Sequence, residues 1–297
     1  MLSVSSGQSG LICPLDVLAS HTDIYVYKYI AMSLVLVARF KNESHIMYEF
    51  IHHYLYEGVD HFILIDDGSD DNYLQNNPWL GELVGRDIVA IHNSTTNQID
   101  NYDVFLDQIK QHKWAIVCDM DEFMFSVDPH TRLIDVLDSK CDTYDYIKVY
   151  WKMFTHTQKF QPVSVIDDAI YTHHTPIDPS SPSKGIKCIA KTQHIAHIDI
   201  HWIGFDTVIR TLDLDNCHND LIQSNHYRTQ SDEFLYGVKE QRGGGLGKHR
   251  YKGFENHRKY KYNKECVLLK NKRRELIVRL SERKQVRPMI HAKSSFA

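Results

Sequence analysis

The sequence predicts an α/β fold in which helices flank a mostly parallel central sheet. Short apolar runs, suited to strands that are buried on both faces, alternate with segments in which apolar residues recur at helical spacing. The first apolar runs lead into polar turns, as strands do at the ligand edge of a parallel sheet. With 297 residues, 42% of them hydrophobic and 24% charged, the chain has the balance of a globular protein with a full core.

The first half of the chain supplies four strands and two helices to this prediction. Apolar runs predict strands at residues 34–38, 62–65, 87–91 and 114–118. Helical spacing of apolar residues predicts helices within 46–55 and 99–112, the first of which ends at Gly58. Strand–helix–strand units of this kind build parallel sheets, because the helix carries the chain back across the sheet.

The second half has a different texture, with shorter strands between longer loops. Strands are predicted at 146–150, 169–171, 187–190 and 197–201, a helix at 231–239, a glycine-rich loop at 242–248 and a basic helix at 265–282. We therefore divide the chain into an N-terminal extension (1–31), one domain (32–250) with halves 32–125 and 126–250, and a basic helical tail (251–297).

The charge is unevenly placed, although the net charge is only −4. Residues 248–297 carry a balance of +12 and the rest of the chain −16. An acidic body argues against a protein that grips nucleic acid over its whole surface. The basic tail is either a solvated helix or a surface suited to peripheral contact with an anionic membrane.

Compartment signals in the sequence are simple. The six cysteines include no CxxC pair, which argues against a cysteine-built zinc site and favours a reducing compartment. No apolar stretch is long enough to span a membrane, and the N-terminus lacks the pattern of a secretory signal. These features predict a soluble, cytoplasmic protein.

The strongest local motif is Asp119-Met120-Asp121, at the end of the fourth predicted strand. If the segment stays extended, Asp119 and Asp121 point the same way, because alternate residues of a strand share a face. Two such carboxylates suit a hard divalent cation, Mn²⁺ or Mg²⁺, which can neutralise a departing diphosphate. The alternative is a solvated strand end.

Two other polar loops fall on the same predicted edge of the sheet. Asp66 and Asp67 follow the second strand, and a carboxylate there can accept a hydrogen bond from a nucleotide base. Arg39 and Asn42 follow the first strand and are candidates to line the nucleotide. Taken singly, the first loop reads as a turn and the second as a turn with Asn42 or Ser44 as a helix cap. Their convergence on one edge favours a nucleotide site.

These blocks together resemble glycosyltransferase family 92 and its family 2-like relatives. The matching segments, which occur in the family's order, are 37–43, 53–62, 65–72, 119–123 and 225–234, with Lys239 and Arg242 beyond. The resemblance covers roughly residues 33–245 and is weak between 155 and 220. Segment 150–156, around Trp151, matches the corresponding family block only in part.

The resemblance implies a GT-A fold, an inverting reaction, a UDP-sugar donor and Mn²⁺ (or Mg²⁺) as cofactor. Residues 32–125 would then be the nucleotide-binding half and residues 126–250 the acceptor half. The implied acceptor is a glycan or glycoprotein, and known members include galactosyltransferases that act on fucose. Galactose or xylose is the expected donor sugar.

The resemblance also implies further site residues. His226 lies in the matching Asn-His-Tyr block and is the first choice for a third metal ligand, with His197 and His201 as rivals. Lys239 and Arg242 precede a glycine run, where cations can close over the diphosphate.

An inverting transfer needs a base that takes the proton of the acceptor hydroxyl. The candidates are Glu122, Asp199, Asp206 and Glu233, with an acid of the second half preferred. Glu122 has the alternative role of orienting the metal ligands.

Two other functions fit parts of the pattern. A nucleotidyltransferase would share the sheet and the cation, but residues 39–44 lack the glycine-rich loop that cradles a triphosphate. A non-catalytic sugar- or nucleotide-binding protein would have no need of the intact carboxylate motif.

Overall fold

The computed structural model describes residues 34–94, 102–156, 159–168, 171–173, 185–215, 220–240 and 264–276. The chain forms two compact units, Ala31–Leu269 and a second made of Met1–Ile30 with Lys270–Ala297. Of the second unit, only part of a helix at 268–276 is described. In the described parts of the chain, no helix combines the length and apolar character needed to cross a bilayer.

Four parallel strands form the first part of the sheet, as predicted: β1 (Leu34–Phe40), β2 (His61–Asp66), β3 (Val89–Asn93) and β4 (Trp114–Asp119). Their order is β3-β2-β1-β4, so β1 lies in the middle of this group. Every residue of β1 is buried. Leu34 and Leu36 pack into the core on one face of the sheet, and Val35 and Val37 into the core on the other. This two-sided burial explains the continuous apolar runs.

The helix that follows β1, α1 (Ser44–Glu57), confirms the predicted helical spacing of apolar residues and the predicted end of the helix at Gly58. Its buried side is lined by apolar residues, and Gly58 ends it in the left-handed conformation with φ +98°. Neither Asn42 nor Ser44 caps it through a side chain. The backbone N–H of Ser44 instead donates to Asp71 Oδ2 from the loop after β2, at 2.8 Å. Two short helices, α2 (Tyr73–Asn76) and α3 (Leu80–Gly85), lead on to β3.

The second half extends the same sheet. Beyond β4, the described residues contain four helices: α4 (Leu106–Ile109), α5 (Leu133–Ser139), α6 (Val165–Asp168) and α7 (Asp232–Phe234). They also contain nine more strands: β5 (Glu122–Ser126), β6 (Tyr146–Thr155), β7 (Tyr171–His173), β8 (Ile186–Lys191), β9 (Ile195–Ile198), β10 (Ile203–Phe205), β11 (Thr211–Leu214), β12 (Ile222–His226) and β13 (Lys264–Glu265). The sheet continues from β4 through antiparallel β8 to β6.

One strand pairing controls the position of the site. Strand β12 pairs antiparallel with β5 and parallel with β6, so that His226 lies opposite Glu122 and next to Met153. The chain segment after the Asp119-Met120-Asp121 motif is thereby joined to a segment of the second half. A single sheet therefore runs through residues of both halves.

Three predicted elements are wrong in extent. In the described part of the predicted helix at 99–112, residues 102–112, there are a 3₁₀ turn (Asp103–Phe105) and the short α4. The Asp103 side chain accepts a hydrogen bond from Ile198 N (2.8 Å) and contacts His197 Nδ1 (2.5 Å). The predicted strand at 197–201 is the β9–β10 hairpin. The predicted helix at 265–282 begins only at 268, since residues 264–265 form β13 and pair with β7.

Candidate active site at the carboxyl edge of the sheet

The carboxyl ends of three neighbouring strands meet at this edge, as the sequence predicts. Arg39, near the end of β1, is in register with Ile65 of β2 on one side and with Asp119 of β4 on the other. Asp66 ends β2 and is in register with Phe40. The structure therefore brings Arg39, Asp66 and Asp119 to the same edge.

Arg39 and Asp67 form an ion pair there. Arg39 Nη2 lies 2.5 Å from Asp67 Oδ1 and donates to Ser94 Oγ at 3.1 Å. Arg39 is buried, with only 8% of its surface exposed. Its Nη1 is also buried and has no hydrogen-bond partner among the described residues. A buried guanidinium with a spare donor suits an anionic or carbonyl-bearing ligand, because an unsatisfied buried N–H is costly.

The neighbouring loops after β1 and β2 bind each other. The Asn42 side chain donates to Asp70 Oδ1 at 2.7 Å and accepts from Asp70 N at 2.8 Å. Asp66 Oδ1 accepts from Ser69 N at 2.8 Å, which closes the turn over Gly68. In this arrangement Asn42 and Asp66 hold the two loops in shape, and ligand contact by either residue stays a prediction.

The Asp119-Met120-Asp121 motif does not continue as an extended strand. Met120 and Asp121 form the turn between β4 and β5. Asp119 Oδ2 lies 3.0 Å from Lys187 Nζ, whereas Asp121 pairs with His226 and Lys239. Because the chain turns at Met120, the two carboxylates engage different partners.

Asp121, Glu122 and His226 form a buried cluster in which one ligand atom of each lies within 4.8 Å of the others. His226 Nε2 is 3.3 Å from Asp121 Oδ1, and its Nδ1 is 3.8 Å from Glu122 Oε1. The β5–β12 pairing creates this juxtaposition, helped by a hydrogen bond from Tyr227 N to Asp121 O at 2.9 Å. Helix α1 also supports the turn, since the Tyr54 hydroxyl donates to Glu122 O at 2.9 Å.

The donor set of this cluster fits a divalent cation. Two carboxylates and an imidazole are ligands that Mn²⁺ accepts. Glu122 Oε1 and His226 Nδ1 are buried and have no hydrogen-bond partner among the described residues. A cation held by Asp121, Glu122 and His226 would satisfy both atoms, so the cluster is a candidate metal site.

Lys187 is a buried residue beside the candidate site that the sequence analysis does not identify. It lies on β8 with 1% of its side chain exposed, and its ammonium contacts Asp119 Oδ2 (3.0 Å), Glu122 Oε2 (3.5 Å) and the carbonyl of Ile200 (3.0 Å). The sequence does contain a signal for Lys187, which is a lysine inside an apolar strand. Such a lysine indicates an anionic partner nearby, because a buried ammonium requires one.

The pKa values in the cluster follow from burial and from this lysine. Burial raises the pKa of Glu122 well above its usual range, and Lys187 only partly opposes that effect. Burial by itself would raise the pKa of Asp119, but Lys187 holds it below its ordinary value. Burial lowers the pKa of His226 in spite of Asp121 nearby, so the imidazole is held neutral and able to ligate.

Lys239 lies at Asp121. It ends a π-helical turn, Leu235–Lys239, which follows α7, and its ammonium forms an ion pair with Asp121 Oδ2. Sequence reasoning assigned Lys239 to the diphosphate. In the structure, the Lys239 ammonium contacts Asp121, the predicted metal ligand, at the carboxyl edge of the sheet where the diphosphate is predicted to bind.

The remaining predicted residues fall at the rim or outside the described residues. Asp199 and His201 belong to the turn of the β9–β10 hairpin, and His201 stacks edge-on against Trp151, with ring centroids 5.5 Å apart. The ring centroids of Trp151 and His226 are 4.6 Å apart. His197, the other alternative metal ligand, contacts Asp103. Of the other candidate bases, Asp206 lies 3.5 Å from His194, and the exposed Glu233 accepts a hydrogen bond from Gln161 N. Arg242 lies outside the described residues.

The chain is similar to a known protein family and to several solved structures. Residues 37–274 match glycosyltransferase family 92. Comparison with curated proteins gave no significant match. Similar solved structures include GalNAc-T7 with UDP, GalNAc and Mn²⁺ (11% identity, TM-score 0.41) and HddC from Yersinia pseudotuberculosis (10% identity, TM-score 0.37). The first similarity covers 79% of this chain and 56% of GalNAc-T7, the second 71% of this chain and 100% of HddC. Similarity at this level does not bear on activity.

The match to the family extends over most of the domain, including the β1, β2, β4 and β12 segments that build the site. The mixed α/β fold predicted from the sequence is confirmed, with helices beside a sheet whose first four strands are parallel. The chain belongs to glycosyltransferase family 92.

Proposed function

We propose that the chain is an inverting, metal-dependent glycosyltransferase, which moves galactose or xylose from a UDP-sugar to a hydroxyl of a glycan or glycoprotein. Acceptors that contain fucose are the first to test. The observation that carries the proposal is the buried Asp121–Glu122–His226 cluster at the carboxyl edge of the sheet, beside the Arg39–Asp67 pair. Family membership supports the same reading.

In this proposal each residue has a defined task. Arg39 and Asp67 bind the nucleotide, and the spare Arg39 Nη1 donor contacts its base or phosphate. Asp121, Glu122 and His226 hold Mn²⁺, which when bound neutralises the charge of the leaving diphosphate. Glu122 is completely buried, which supports a role in the metal site rather than proton transfer to an acceptor. Asp199 and Glu233 remain the candidates for the base.

The proposal is tested by calorimetric titration of UDP, with and without Mn²⁺. The comparison uses the wild type, Asp121→Asn and the matched surface control Asp213→Asn, whose carboxylate is 55% exposed and only contacts Lys148. We expect UDP to bind tightly with Mn²⁺, and Asp121→Asn to lose at least about tenfold in affinity, as expected when a metal ligand is weakened. Asp213→Asn should match the wild type.

Two outcomes would contradict the proposal. If UDP binds with the same affinity with and without Mn²⁺, the metal role is wrong. If no UDP binds under either condition, the donor is wrong. Release of pyrophosphate rather than UDP during turnover would identify a nucleotidyltransferase instead.

A further inference from the structure

Lys239 occupies an unusual position for a lysine. Only 6% of its surface is exposed, its ammonium lies 5.4 Å from the centre of the Phe234 ring, and it pairs with Asp121 Oδ2. Burying an ammonium costs several kcal/mol unless an anionic partner compensates it, and here Asp121 is that partner. The same carboxylate is a member of the predicted metal cluster.

Asp119, Lys187 and Lys239 lie beside the Asp121–Glu122–His226 cluster, so that three carboxylates and two ammonium groups meet here among the described residues. Lys187 contacts Asp119 and Glu122, and Lys239 contacts Asp121, so the two lysines divide the carboxylates between them. A divalent cation bound to Asp121 would lie next to the Lys239 ammonium. Two cations at such a separation in a poorly hydrated site repel each other, so a metal ion at Asp121 would weaken the ion pair between Asp121 and Lys239.

The backbone before Lys239 has an unusual conformation. Residues Leu235–Lys239 form a π turn, in which one residue more than an α-helix requires is accommodated within the turn. Such turns are rare and occur frequently at functional sites. Lys239 is the last residue of this turn, so a change of the turn to α geometry would move its side chain.

We propose that Lys239 is a tethered cation that holds the Asp121 carboxylate until a divalent metal ion replaces it, and that the released ammonium then binds the diphosphate of the donor. The inference rests on the proposed function and deepens it. It makes Lys239 a competitor of the metal and a ligand of the nucleotide at once. Its removal must therefore affect the two binding steps in opposite directions.

The test uses the whole chain and measures binding, with no need of an acceptor. Mn²⁺ alone is titrated into the wild type, Lys239→Met, Lys239→Arg and the surface control Lys148→Met, and bound Mn²⁺ is followed by electron paramagnetic resonance. UDP is then titrated into each protein at saturating Mn²⁺. Lys239→Met should bind Mn²⁺ about tenfold more tightly or better, the order expected for removal of a close competing charge. It should bind UDP in the presence of Mn²⁺ about tenfold more weakly, because a charge-assisted contact to phosphate is lost.

Lys239→Arg keeps the charge, and Lys148→Met leaves the site untouched, so both should resemble the wild type in Mn²⁺ affinity. Thermal unfolding provides a second measurement, because Mn²⁺ should raise the melting temperature of Lys239→Met by more than that of the wild type. Unchanged or weaker Mn²⁺ binding by folded Lys239→Met would overturn the inference while leaving the proposed function intact. Absence of Mn²⁺ binding in both proteins would overturn the metal site itself.

Discussion

Replacing Lys187 by methionine, which has a similar length and no charge, tests whether the acidic cluster depends on this lysine. The ammonium makes three contacts, to Asp119, Glu122 and the carbonyl of Ile200, at 3.0, 3.5 and 3.0 Å. Removal of one partner from a buried ion pair typically costs about 3–5 kcal/mol, because the remaining charge is left without compensation. The Asp119 side chain is 33% exposed and stays partly hydrated. We therefore expect Lys187→Met to lower the free energy of unfolding by the lower end of that range, about 3 kcal/mol.

The stability lost in Lys187→Met should depend on pH in a definite direction. The folded-state pKa of Asp119 is held below its ordinary value, so its contribution to stability is present above the unfolded pKa of about 4 and is lost as the pH falls through the folded value. The pKa of Lys187 is raised, although burial alone would lower it, so its own contribution is lost only at strongly alkaline pH. The difference between wild type and Lys187→Met should therefore be largest at neutral pH and shrink below about pH 4.

Urea unfolding, followed by circular dichroism at pH 7 and at about pH 3, measures this difference. The matched control is Lys113→Met, since Lys113 also contacts two carboxylates, Asp138 and Asp142, but is 43% exposed. Exposed ion pairs contribute about 0–1 kcal/mol, so the control should unfold nearly as the wild type does. A Lys187→Met protein that is as stable as Lys113→Met at pH 7 would refute the reasoning.

Two more predictions concern α1 and the nucleotide loops. Gly58→Ala should lower the free energy of unfolding by about 3 kcal/mol, because φ is +98° there and an added Cβ would lie 2.8 Å from Ile134 Cβ. Thermal unfolding checks this, with Gly81→Ala, where the added Cβ meets nothing, as its control. Arg39→Met should weaken UDP binding by about tenfold or more without changing the affinity for Mn²⁺ alone, since Arg39 has no contact with the metal cluster. An equal loss of both affinities in the titrations would contradict that division.

The sequence predicts best what is determined locally. Strand β1 could be predicted because its seven residues are all buried, and α1 because its apolar spacing ends at a glycine. The helix predicted at 99–112 is shorter in the described residues 102–112, where the distant β9–β10 hairpin binds the Asp103 side chain, a contact that no local pattern contains. Convergence of the loops after β1, β2 and β4 followed from the parallel topology alone.

The contents of the site were only partly predictable for the same reason. Asp121 was identified from its motif, but its neighbours come from β12 and the π turn after α7, and only the family resemblance pointed to His226 and Lys239. Spacing suggested that Asp119 and Asp121 act together, whereas the turn at Met120 gives each its own cation. Lys187 went unnoticed because its role exists only once β8 lies against β4.

The order of strands has a consequence for biosynthesis. Lys187 follows its partner Asp119 by 68 residues, and Lys239 follows Asp121 by 118. At the usual rate of translation, Lys239 emerges roughly 6–24 s after Asp121. For about the first half of that interval, until Lys187 emerges on β8, a nascent chain has the carboxylates without either lysine. During that time the edge of β4 that β8 later covers is open, and an open strand edge can associate with other chains.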